Sequence, residues 1–379
     1  PSRTAADVVW FGPGVHELGK FYELQAGTTY YLAPGAFLKG SLTGGGDGTR
    51  VIGRGVLSGA DHRWPGHQME RSPERVDLVK LEGDGVQLAG ITLVDSPYYV
   101  VLAKGRDNRF DDLKVIAWYN NTDAISSGPG ARIDDCFLRA ADDIFKPFVD
   151  DTQIRRCVIW ADKAAVFCLT WNARHDSGGS SVRDCDVIHH MPFCTADTEW
   201  TGAVWRSWHG GHAHIHDLVF EDIRIEGRGP RLVDLFMQRN QWSPQAGEWG
   251  RFSRLQFRHI TVDEPCRFPS RLRGHDAEHL IDDVVFENVR IAGRPVRTAA
   301  DLELVTNAFV HDLRVVAPAG AVKGPGAAAR ARLEPFPRAT AVPGFQQREA
   351  WPAHWIAPTQ EHAASFVAAY RLQFDCDRR

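Results

Sequence analysis

A short apolar pattern returns nine times along the chain and constrains its fold more than any other feature. An apolar residue is followed three positions later by an apolar residue or Cys, and two positions after that by another apolar residue. The matches begin as Leu88-Ile91-Leu93, Phe110-Leu113-Val115 and Ile133-Cys136-Leu138. They continue as Ile154-Cys157-Ile159, Val182-Cys185-Val187 and Phe220-Ile223-Ile225. They end as Phe257-Ile260-Val262, Phe286-Val289-Ile291 and Val310-Leu313-Val315. Successive starts lie 22, 23, 21, 28, 38, 37, 29 and 24 residues apart. The last two positions of each match lie two residues apart, and the residue between them is often charged, which is the period of a strand with one face in and one face out. Helix signals are poor, because β-branched residues, Gly and Asp-containing turns dominate. A base unit of about 22 residues built from short strands predicts an all-β parallel β-helix of about ten coils. Coils would stack at about 4.8 Å, the spacing of paired strands. The longer units would carry loop insertions on one side.

Domain boundaries follow from where this pattern starts and stops. Tyr30–Leu42 and Val51–Gly59 read as early coils, and residues 1–28 as an N-terminal cap over the open end of the stack. The β-helix is expected to occupy residues 1–317. Residues 318–379 open with an Ala-, Gly-, Pro- and Arg-rich stretch without strand period, and read as a linker and packing arm. Pro1 in place of Met points to a processing or cloning point, so any signal segment lies outside this chain. Three of the seven cysteines, Cys136, Cys157 and Cys185, fall at one position of successive units. They read as a ladder of small buried side chains. No CxxC pair is present, so no ordinary zinc ribbon or thioredoxin site is expected.

Composition removes several functions. The formal net charge is -4 over 379 residues, which gives no global field for nucleic acid. No stretch reaches the roughly 18 apolar residues of a membrane helix. No cofactor and no metal is expected. His209, His212, His214 and His216 offer a metal reading, set against loop histidines or a cleft His bonded to Asp.

The richest acidic constellation is Asn121-Thr122-Asp123-Ala124 followed by Ala141-Asp142-Asp143-Ile144. An offset of 20 residues, about one coil, aligns Asp123 with Asp143. Asp142 would lie next to both. Three neighbouring carboxylates repel one another, and such an arrangement points to metal binding or acid–base work. The other Asp-containing pairs, such as Asp111-Asp112 and Asp134-Asp135, sit at unit starts where Asp makes a turn.

These boxes resemble the inverting glycoside hydrolases built on a right-handed, pectate-lyase-like parallel β-helix. The resemblance is strongest to the dextranase and isopullulanase family, glycoside hydrolase family 49, and weaker to the polygalacturonases. It is carried by the Asp and Asp-Asp boxes, by Tyr31-Leu32-Ala33-Pro34-Gly35-Ala36-Phe37-Leu38-Lys39-Gly40, by Gly53-Arg54-Gly55-Val56-Leu57-Ser58-Gly59, and by Ala165-Val166-Phe167 leading to Trp171-Asn172-Ala173-Arg174. Two pectinase boxes depart from pattern. His209-Gly210-Gly211-His212 is not Gly-His-Gly, and Arg224-Ile225-Glu226 replaces a basic triad that would hold a uronate carboxylate. The β-sandwich that precedes the β-helix in family 49 is expected to be absent here.

The resemblance implies hydrolysis with inversion, in which an acid protonates the leaving oxygen and a base activates water on the opposite face. It assigns Asp142 as the acid, with Asp123 and Asp143 holding and deprotonating the water. Asn121, Lys163, Trp171, Asn172, Arg174, Trp208, His209 and His212 are the candidate substrate-binding residues. Trp118, Trp160, Trp200, Trp205 and Trp242 join Trp171 and Trp208 as candidate sugar platforms. The expected substrate is a polysaccharide, an α-glucan of the dextran or pullulan kind, and the expected location is secreted. The rivals are a pectin hydrolase, a lyase on the same fold, and a non-catalytic glycan-binding β-helix.

Overall fold

A computed structural model of the chain describes residues 1–64, 66, 72–146, 149–170, 173, 175–190, 202–239 and 249–317. The chain divides into Pro1–Pro318 and Ala319–Arg379, and the second unit lies outside the described residues. The described part is a right-handed parallel β-helix. Among the described residues no helix is long and apolar enough to cross a membrane.

One inward-facing position can be followed through twelve rungs. It runs Val9, Tyr30, Val51, Leu88, Phe110, Ile133, Ile154, Val182, Phe220, Phe257, Phe286 and Val315. The first eight sequence matches fall on this register. The ninth does not: Leu313 pairs with Val284 and Val315 with Phe286, so Val315, not Val310, continues the Phe286 column. Residues 1–28 already contain strands Val8–Phe11 and Gly14–Leu24, which pair in parallel with the following coil.

The recurring Asp and Asn have a local cause. Asp112, Asp135, Asp184, Asp222 and Asn288 all adopt positive φ, each just before the buried middle residue of a repeat. Asp and Asn tolerate this left-handed corner better than most residues. At other turns glycine is needed for space and not for a left-handed φ. A Cβ on Gly105 would lie 1.7 Å from the Gly83 carbonyl oxygen, and one on Gly128 would lie 2.2 Å from that of Gly105. Successive coils touch backbone to backbone there.

The interior is a set of stacked columns. Phe220, Phe257 and Phe286 stack with centroids 5.4 and 4.8 Å apart and planes within 10°. Parallel register holds equal side chains at about the rung spacing, and ring offset is set by strand twist. Cys136, Cys157 and Cys185 are buried free thiols on neighbouring rungs, as the ladder requires. Burial raises the Cys157 and Cys185 thiols well above the usual range, so they stay protonated. Cys194 and Cys376 lie outside the described residues.

Candidate active site

The aspartates meet because a turn repeats on two neighbouring coils. Ile125 bridges Phe145 in parallel, and Phe145 bridges Phe167. Counting back two residues places Asp123 beside Asp143, which the Ala124 N–H to Asp143 carbonyl bond at 3.0 Å locks. The 20-residue offset is therefore the true register at this point. Asp123 and Asp143 are buried, at 2% and 1% exposure, whereas Asp142 is partly exposed.

Backbone donors orient the carboxylates. Asp142 accepts from the Asn121 N–H at 2.8 Å and from the Asp143 N–H at 3.0 Å. Asn121 can present its N–H this way because its φ is 62°, in the left-handed region. Asp143 accepts from the Ala165 N–H at 3.2 Å. Thr122 ties the two turns together, donating to the Tyr119 carbonyl at 2.6 Å and accepting from the Ala141 N–H at 3.3 Å.

Lys146 completes the cluster. It is paired with Asp123 Oδ2, lies 3.7 Å from Asp143 Oδ2, and sits 3.4 Å from the Tyr99 hydroxyl. Burial pushes the Asp123 carboxyl well above the usual range; Lys146 opposes this, and Asp142 and Asp143 add to it. Burial and then the Asp143 charge raise Asp142, against Lys146 and the two backbone donors. Burial alone would lower Lys146, but Asp123, Tyr99, Asp143 and Cys168 together raise it, so the ammonium is kept. Three adjoining carboxyls, two of them buried, with one fixed cation can both hold a proton and take one.

The neighbouring coil supplies a wall. The Arg75 guanidinium lies 4.2 and 4.6 Å from the ring centroids of Tyr98 and Tyr99 and is bonded to Asp77 at 2.8 Å. Trp64 donates from its indole N–H to Asn121 Oδ1 at 3.4 Å.

The candidate substrate-binding residues divide. Asn121 is in the site. Lys163 is exposed and bonds to Asn120 Oδ1, on the loop that leads to Asp123. Trp171, Asn172 and Arg174 lie outside the described residues, as do Trp200 and Trp242. Trp208 is 4% exposed and His209 is fully buried, so neither presents a surface to a sugar. His209 Nε2 bonds to the Ala213 carbonyl at 2.7 Å, and burial pushes its pKa down to about 4. Trp205 is core, stacked on Phe167 at 5.9 Å. His212 is exposed. His214 bonds to Ser253 at 2.7 Å and His216 to Asp217 at 2.6 Å. Among the described residues no group of His, Cys, Asp and Glu could hold a metal ion.

Lys146, Tyr99, Arg75 and Trp64 were not legible as site residues. A signal for Lys146 did exist. The chain uses Lys 8 times among 44 basic residues, and one of these falls three positions after the Asp-Asp box. A compact ammonium with three donors can serve two carboxylates at once.

No family model matches the chain. It is similar to isopullulanase from Aspergillus niger, 28% identical over 211 residues, 50% of this chain and 37% of that protein. It is also similar to the probable exopolygalacturonase B of Aspergillus terreus, 23% identical over 72% of this chain and 61% of that protein. The chain thus spans about a third to three-fifths of the length of these curated relatives. In structure it resembles Dex49A from Penicillium minioluteum, with TM-score 0.67 and 16% identity over 82% of this chain and 60% of the other. That likeness establishes the right-handed β-helical fold.

Proposed function

We propose that this chain is a glycoside hydrolase that cleaves a polysaccharide with inversion of anomeric configuration. The observation that carries the reading is the Asp123–Asp142–Asp143 cluster, built across two adjacent coils and neutralised from one side by Lys146. Asp142 is the general acid: it is the partly exposed member, whereas Asp123 and Asp143 are buried against Lys146. Asp123 and Asp143 are the base pair that binds and deprotonates water, because Lys146 stabilises their charge at close range. The acid donates its proton to the leaving oxygen as water attacks the anomeric carbon from the opposite face. The base takes the water's proton.

The likeness to isopullulanase supports an α-glucan of the dextran or pullulan kind as substrate. The exopolygalacturonase likeness keeps polygalacturonate as the second candidate. Arg224, the basic residue closest to the pectinase pattern, is already held by Asp184 and Asp186 and is not available to a uronate. A secreted location, a catalytic unit of residues 1–317 and a non-catalytic segment of residues 318–379 belong to the same proposal. The break at Pro318/Ala319 supports that division.

The test is a reducing-sugar screen on dextran, pullulan, nigeran, polygalacturonate, arabinan and fructan, with Asp142→Asn as the blank. Activity on a neutral α-glucan, lost in the variant, is expected. Proton NMR of the first product should show the inverted anomer. Full activity in Asp142→Asn rejects the assignment of the acid, and a retained anomer rejects the mechanism.

A further inference from the structure

Next to the aspartates runs a second constructed feature, on the outer face of the coils. The guanidinium of Arg139 lies 3.6 Å from the centroid of Trp118 and 5.7 Å from that of Trp160. His189 stacks on Trp160 at 4.4 Å with planes 25° apart. The register explains the order. Ile116, Arg139, Trp160 and His189 occupy one position on four successive strands, and Trp118 follows two residues after Ile116.

The ladder is held rigidly. Asp162 accepts from Arg139 at 2.7 Å and from the Trp160 indole N–H at 2.7 Å. Asp95 accepts from the Trp118 indole N–H at 3.1 Å. Yet Trp118 remains 49% exposed and its neighbour Tyr119 46% exposed, which makes them two of the largest exposed apolar side chains described. An exposed indole clamped at its edge and on one face loses little conformational entropy on binding.

Each coil delivers a ladder residue and then a site residue. Trp118 precedes Asn121 and Asp123, Arg139 precedes Asp142, and Trp160 precedes Lys163. The ladder therefore runs along the helix axis beside the row of carboxylates. Its charges are balanced, with Arg139 and Lys163 against Asp95 and Asp162. That balance favours an uncharged ligand, since a polyuronate would meet Asp95 at the exposed end.

We propose that Trp118, with Tyr119 beside it, is the platform of a sugar-binding subsite adjoining Asp142, on which a neutral glycan stacks a pyranose face. This rests on the hydrolase reading and names where that enzyme grips its chain.

The experiment measures binding by titration calorimetry in the full chain carrying Asp142→Asn, which cannot turn the probe over. The probes are isomaltoheptaose, maltoheptaose and heptagalacturonate. Saturable binding of a neutral probe is expected, weakened about tenfold or more by Trp118→Ala and mostly kept by Trp118→Phe. Equal melting temperatures of the three proteins show that the fold is unaffected. Unchanged affinity in Trp118→Ala overturns the proposal, as does absence of binding by either neutral probe. Trp118-dependent binding of heptagalacturonate alone overturns the uncharged ligand. Hydrolysis is read separately in the chain that keeps Asp142. There, cleavage with a KM indifferent to Trp118 sinks the subsite alone, while Trp118-dependent binding without cleavage sinks the hydrolase alone.

Discussion

Lys146 Nζ is paired with Asp123 Oδ2, and the two side chains are only 11% and 3% exposed. Breaking a buried pair by removing one partner leaves an uncompensated charge, which costs about 3–5 kcal/mol. In Lys146→Met, Asp123 avoids that cost by holding its proton to higher pH. The base is then disarmed. We expect the rate to fall about 100-fold or more and the acidic limb of the kcat/KM profile to move to higher pH. Lys146→Arg, which keeps the charge, should restore part of the rate and return the limb toward its original position. A lower melting temperature in Lys146→Met with an unmoved acidic limb would reduce Lys146 to a structural residue.

The same crowding predicts how stability responds to pH. Asp142 is raised by burial and by Asp143, so the folded protein holds its proton more tightly than the unfolded chain does. The sign follows. This stabilising contribution is full below the unfolded carboxyl pKa of about 3.9 and is lost as pH rises through the folded value. Asp142→Asn removes the titration. Its melting temperature minus that of the parent should therefore become more positive between pH 4 and pH 8, by at least about 2 °C. A difference that stays flat, or falls with pH, contradicts the crowding.

His209 behaves in the opposite sense. Its buried ring is pushed down to about 4 by burial, against the Ala213 hydrogen bond. The neutral ring is what the fold accepts. Stability is full above the unfolded pKa of about 6.5 and falls as pH drops toward the folded value, by about 3 kcal/mol at most. His209→Gln can still donate to the Ala213 carbonyl but does not titrate. Its denaturant midpoint should depend less on pH between 6.5 and 4. Its kcat/KM should stay within about threefold of the parent, a change of under 1 kcal/mol. A large rise in KM would instead return His209 to the substrate.

The repeat was readable because each coil must bury the same few positions, so apolar residues return at every turn of the solenoid. The aspartate register was readable for the same reason, since a 20-residue offset within such a repeat is an adjacent rung. Lys146 was hidden because its importance depends on what lies across the coil, namely Asp123 and Tyr99, and not on its neighbours in sequence. Trp208 and His209 failed as surface residues because the strand Trp205–Trp208 and the residue that follows it are buried, a burial that the residue types do not announce. The same limit explains the last repeat, where Val310-Leu313-Val315 matches the apolar pattern but pairs in another frame.

Packing beneath the site should matter to catalysis in a way that packing elsewhere does not. Phe167 stacks on Phe145 at 5.7 Å with planes 8° apart, and Phe145 sits between Asp143 and Lys146 in the chain. Phe257 makes an equivalent stack on Phe220 and Phe286, several coils away. Phe→Leu at either position removes ring contacts from a close-packed column and should cost about 1–3 kcal/mol. Only Phe167→Leu releases the strand that fixes Asp143 against Asp123. Its kcat should fall about tenfold or more with little change in KM, because a small displacement of a positioned group is expensive in rate. Phe257→Leu should lose a similar amount of stability and keep its kcat. If both variants lose rate in proportion to stability, the register of Phe145 has no special hold on the carboxylates.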